Sequence, residues 1–220
     1  MCKKIKILIL LLFGMIINVP SVNSTTLLPV DLLDLVTESE LIFVGTVTKV
    51  ESRWGVDEKI YTDIIFENLY IIKGIHPDNT LVMELAGGTM GDYHSVVVGI
   101  PDFQVGGKHL IFMSGNKRYL CPIVGWGQGK FNIIRDKVSG NEILLDNNNN
   151  PITGIQDHTL TRIPHPVKKR GQSFPGISEE HGTPQIKPLQ AIDSGKRLSL
   201  PEFISIIGKT LEIPVERGTP

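Results

Sequence analysis

The sequence predicts a mainly β protein, a small closed or nearly closed sheet with short helices on its flanks. Three observations carry that expectation. Residues 80–113 alternate apolar runs with paired glycines and polar turn residues. Residues 41–50, LIFVGTVTKV, pass from a continuous apolar run into alternation, the pattern of a strand buried at one end and half-exposed at the other. Residues 61–73 are rich in the β-branched and aromatic side chains that strands favour.

Ahead of the sheet, the leucines of residues 32–36 share one broad face opposite Asp31, Asp34 and Glu38, and Pro29 suits a first turn. A short helix is expected there. Its polar side is acidic, which disfavours a membrane-surface role. Gly45, in the middle of the first strand, marks a bend or a close backbone approach. Residues 51–59 read as a polar loop and Gly74 ends the second strand.

In the central stretch, residues 80–85, 95–98 and 109–113 read as three strands of a meander. Gly87, Gly88 and Gly91 are expected at its corners, where the backbone needs positive φ or close approach. Residues 119–124 read as a further strand, and 131–134 with 142–145 as a hairpin turned by Ser139-Gly140-Asn141. The body therefore spans 25–155. A proline- and glycine-rich basic linker, flexible by composition, occupies 156–197 and includes Lys168-Lys169-Arg170. A helix then opens the 198–220 segment, with Ser199 and Glu202 spaced as a capping box and Phe203, Ile204, Ile207 and Leu211 on one face.

Export is the clearest functional statement. Residues 1–24 combine Lys3, Lys4 and Lys6 with an apolar core over 7–17 and small residues at Val22 and Ser24. That is the build of a cleaved signal peptide, and its apolar run falls short of the ~20 residues of a membrane span. The expected product is secreted or periplasmic, begins near Thr25 and has no further transmembrane segment. It retains Cys121 alone, so no internal disulfide can form. A formal charge of −1 argues against nucleic acid as partner.

Motifs for chemistry are sparse. The turn Gly87-Gly88-Thr89-Met90-Gly91 lacks the Lys-Ser/Thr pair of a phosphate loop and runs into Asp92. His76, His94, His109 and Asp92 are the residues from which a site would have to be assembled, but no spacing places two metal ligands on one face. No metal and no cofactor are therefore expected. Cys121 lies in an apolar context that suits a buried, unreactive thiol. Trp126, framed by glycines in GWGQGKF, is either an exposed binding aromatic or a lid over one end of the sheet.

Taken together, GTV in the first strand, a strand ending in KG, AGGTMG, GIPDFQVGGKHLIFM and GWGQGKF resemble a group of uncharacterised secreted bacterial proteins across roughly residues 28–145. More distantly, the helix followed by FVGTV and the strand ending in KG is similar to the OB-like barrel of the netrin and tissue-metalloprotease-inhibitor module. The resemblance implies a small OB-like barrel. It does not imply protease inhibition, because those inhibitors chelate zinc through an N-terminal cysteine and this mature chain would begin near Thr25.

The function expected is a binding or interaction module for a protein or envelope partner, using Trp126, Tyr93, His94 and Asp92. The rival is a hydrolase or metal-dependent enzyme built on Asp92, His94 and His109. A structural accessory protein of the envelope is the third possibility.

Overall fold

The computed structural model describes residues 28–137, 139–163 and 197–212. The signal peptide and most of the basic linker expected from the sequence lie outside these residues. The chain begins with helix α1 (Leu32–Glu38), opened by Asp31, whose carboxylate accepts the Asp34 N–H at 2.8 Å. Pro29 precedes this helix rather than forming its first turn.

The strands β1 (Leu41–Trp54), β2 (Ile60–Lys73), β3 (Leu81–Ala86), β6 (Lys108–Met113), β7 (Lys130–Arg135) and β8 (Glu142–Leu145) form one antiparallel sheet in the order β3-β2-β1-β6-β7-β8. A separate hairpin, β4 (Gly88–Met90) with β5 (Tyr93–Ser95), lies between β3 and β6 in sequence. A 3-10 turn (Trp126–Gly129) leads into β7. A second hairpin, β9 (Ile152–Gln156) with β10 (Thr159–Arg162), and helix α2 (Leu200–Leu211) complete the described chain.

Both faces of the sheet are covered, which is why β1 and β6 open or close on unbroken apolar runs. Successive side chains of a strand point to opposite faces. Ile42, Val44, Leu110 and Phe112 thus face one layer with α1, α2 and the β9–β10 hairpin. Phe43, Ile111 and Met113 face the other, with Ile64, Phe66 and Met83 from β2 and β3. Among the described residues no α-helix contributes to the second layer. Coil residues Phe103, Cys121 and Ile123 close it instead.

The sheet does not close on itself by backbone pairing. Its end strands, β3 and β8, are not paired with each other. The stretch expected as a strand over 119–124 is irregular apart from a bridge between Ile123 and Met113. It crosses the β3 edge as a cap. The Asn116 side chain accepts from Glu84 N–H at 3.1 Å and donates to the Val82 carbonyl at 2.8 Å, while Ala86 N–H donates to the Leu120 carbonyl at 2.9 Å. An edge satisfied in this way is blunted against pairing with another chain.

Three further expectations are corrected. The polar stretch 51–59 is loop only in its second half, since β1 runs on through Trp54, paired with Ile60 of β2, and residues 55–59 make the turn. Residues 95–98 do not make a strand, because β5 stops at Ser95. The body extends past 155 into the stretch expected as linker, where β10 adds the buried Leu160 to the first layer; α2, expected to dock back on the sheet, does so there through Phe203 and Ile207, both fully buried. The Ser199–Glu202 capping box expected at the start of α2 is formed. Among the described residues no helix is long and apolar enough to cross a membrane.

Candidate functional site: an aromatic end, a groove and a buried lysine

The long β1–β2 hairpin carries Trp54 at its far end, 46% exposed. The β4–β5 hairpin lies against the same face of this ribbon. Thr89 N–H donates to Ser52 Oγ at 3.3 Å, and a Cβ on Gly88 would stand 2.4 Å from Ser52 Oγ and 2.3 Å from Thr62 Oγ1. That approach, with φ of +135° at Gly88, demands glycine. It brings Tyr93, 66% exposed, edge-to-face against Trp54 with ring centroids 5.4 Å apart. Val56, at the hairpin tip, and Val96 and Val98, on the segment leaving β5, are also exposed. On the opposite face Arg53 is held by Asp63 and Glu84 and lies over the Tyr61 ring.

Asp92 and His94 flank Tyr93 on the β4–β5 hairpin and are both exposed. The His94 Nδ1 is 2.8 Å from Thr89 Oγ1 across the hairpin. His76 is elsewhere, bonded through Nε2 to the Thr80 carbonyl at 3.0 Å. His109 is buried in β6. Each histidine is thus committed to its own surroundings, and among the described residues no group of three or more His, Cys, Asp or Glu could hold a metal ion.

Trp126 is half-buried and packs against the second apolar layer, with Gly99 close to its ring. It has a left-handed backbone, φ +59°, directly after Gly125 at φ +61°. The segment 119–126 lines a shallow groove of about 470 Å³ together with Glu38 and Ser114. Cys121 is at this wall, its thiol pushed up to about 11 by burial, so it is a poor nucleophile. Trp126 and Tyr93, grouped by sequence as one binding set, belong to two different local surfaces.

His109 and Lys130 form a polar inclusion in the second layer. The His109 ring meets Phe103 edge-to-face at 5.2 Å, and neither ring nitrogen has a hydrogen-bond partner among the described residues. Burial, with the Lys130 charge, lowers its pKa to about 4. Asn132, opposite it in the ladder, pulls the other way, but its amide donates to Asn149 Oδ1 at 2.9 Å. Lys130 donates to the Asp102 carbonyl at 2.8 Å, and burial lowers its pKa to about 8.

Of the glycines singled out by sequence, Gly45 sits where the β1–β2 register shifts, and a Cβ there would meet Leu69 at 3.0 Å. Gly87, at φ +95°, passes 2.8 Å from the Ser95 carbonyl by the same measure, whereas Gly91, at φ +58°, has open space. Sequence reasoning missed Trp54, Phe103 and Lys130. Trp54 sits in a polar stretch without strand alternation, and only its pairing with Ile60 across the hairpin shows that β1 reaches it. Lys130 carries no signal either, since a lysine opening a strand is ordinarily exposed. Comparison of the chain with family models, with curated proteins and with solved structures returned no match.

Proposed function

We propose that the chain is an exported interaction module that contacts a protein partner through the Trp54–Tyr93 end. The observation that carries this is the pair of exposed aromatic rings held edge-to-face by two hairpins. Rigid aromatic side chains supply large contact area at low entropic cost. Exposed apolar residues around them, Val56, Val96 and Val98, extend the contact. The separation of His94 from the buried His109 supports binding over hydrolysis, because a catalytic base must reach its nucleophile.

Export rests on the basic n-region and apolar core of residues 1–24. The OB-like barrel implied by the resemblance belongs to this proposal too. What supports it is the enclosure of the second layer by β1, β2, β3 and β6 together with coil.

The test is site-specific photo-crosslinking in the medium and envelope of the producing cells. Benzoylphenylalanine at position 93 is expected to yield a partner adduct that the same probe at position 70, an exposed tyrosine on β2, does not. Identical adducts at both positions, or none at position 93, would overturn the interaction role.

A further inference from the structure

We infer that the Trp54–Tyr93 end takes a cationic segment of its partner, with an arginine or lysine side chain seated on the aromatic pair. This rests on the interaction role proposed above and adds the chemistry of the occupant. The charge around the pair is one-sided. Residues 49–63 and 84–95 carry six carboxylates against three cations, an excess of three in a chain whose formal charge is only −1. Each of those cations is already held by a carboxylate: Lys49 by Glu51, Arg53 by Asp63 and Glu84, and Lys59 by Asp57.

Glu58 and Asp92 remain, both exposed, and neither makes an ion pair among the described residues. They sit at the two hairpin turns whose neighbouring residues supply Trp54 and Tyr93. Aromatic faces attract ammonium and guanidinium groups through the ring quadrupole, tryptophan most strongly. Carboxylates beside them add a screened Coulombic term that steers a cation toward the end and repels phosphate. The protein already uses this combination on the reverse face, where the Arg53 guanidinium is bonded to two carboxylates and lies 5.9 Å from the centroid of Tyr61. Exposed Val56, Val96 and Val98 suit apolar residues next to the cation. Strand addition at β3 is a poor alternative, because Asn116 and Leu120 occupy that edge.

The experiment uses the mature chain and a fluorescent hexapeptide alternating leucine and arginine, with a twin in which citrulline replaces arginine. Anisotropy is measured at low and moderate salt. The arginine peptide is expected to bind at least ~10-fold tighter than its neutral twin, a difference of about 1.4 kcal/mol, and to weaken with salt. Tyr93→Ser and the double variant Glu58→Gln with Asp92→Asn are each expected to weaken it about 5-fold or more. All three side chains are exposed, and unchanged thermal melts check that the fold is intact. Equal, Tyr93-dependent binding of both peptides would overturn the cationic occupant while leaving the interaction role standing. Absence of binding, or binding indifferent to both variants, would also overturn it. So would Tyr93-dependent self-association in sedimentation, which would make a second copy the occupant. Failure of the interaction role itself is read separately, from the crosslinking at position 93.

Discussion

The ammonium of Lys130 lies 4.7 Å from the ring centroid of Phe103. Lys130 is buried and makes no ion pair among the described residues. The charge is held by the Phe103 ring face and the Asp102 carbonyl, both on the loop that leads into β6, and by a longer bond to Asn147 Oδ1 at 3.5 Å. Burial outweighs this support and shifts Lys130 toward its neutral form.

That has a consequence for stability against pH. The folded pKa of Lys130, about 8, lies below its ordinary 10.5. Between those values the unfolded chain holds more protons, so stability rises with pH. A gain of about 1 kcal/mol is expected from pH 7 to 9. The Cys121 thiol, raised to about 11 from 9.0, acts in the opposite direction above that window. Urea denaturation at pH 7, 8 and 9 should show the rise in the wild type and its loss in Lys130→Met.

His109 produces the acid limb. Its folded pKa of about 4 lies below the ordinary 6.5, so the unfolded chain again takes up protons first as pH falls. Stability is expected to drop by about 2 kcal/mol from pH 7 to 5. His109→Leu should flatten this part of the profile, measured by the same denaturation. An unchanged slope would show that the carboxylates alone govern it.

Two glycines of the β4–β5 hairpin, Gly88 opening β4 and Gly91 in the turn, separate steric from conformational cost. Gly88→Ala drives a Cβ into Thr62 and Ser52, while Gly91→Ala meets no atom within 4 Å. Gly91→Ala is expected to cost about 1 kcal/mol, the left-handed penalty alone. Gly88→Ala should cost about 3 kcal/mol, from strain and clash together. Thermal melts compare them, and equal costs would contradict the close approach.

Asn116 is expected to protect the β3 edge. Asn116→Ala removes both side-chain hydrogen bonds to Val82 and Glu84. A loss of about 1 kcal/mol is expected, with concentration-dependent association in light scattering as the freed edge finds another chain. A variant that stays monomeric at high concentration would show the remaining cap to be sufficient.

Helix α2 is part of the body and should behave as such. Phe203 is fully buried and packs against Phe131 with ring centroids 5.4 Å apart, tilted at 56°. Phe203→Ala is expected to destabilise the whole domain by about 3–5 kcal/mol, in one cooperative transition. Two separate transitions would mean that α2 unfolds on its own.

Much of the local structure was legible in the sequence because it obeys local rules. The capping box at Ser199 depends on residues three apart, and the turn at Ser139-Gly140-Asn141 on residues side by side. The apolar runs of β1 and β6 declared strands through their composition alone, and β1 is buried at its start and half-exposed toward its end as that pattern implies. Cys121 announced its burial in the same way.

What only the tertiary structure decided is which distant residues meet. The strand expected over 119–124 carries apolar residues suited to one, yet Gly115, with φ +65°, and the Asn116 contacts turn that chain into a cap on β3. Trp54 and Tyr93 are separated in sequence by β2, β3 and β4, and they touch because Gly88 lets the β4–β5 hairpin settle on Ser52 and Thr62. Lys130 reads as an ordinary strand-opening lysine until Phe103 folds over it. By itself the sequence determined the alternation of strands and turns, since periodicity and backbone preference act between near neighbours. The aromatic end and the buried lysine were decided by packing across long loops, a term that appears only once the chain is compact.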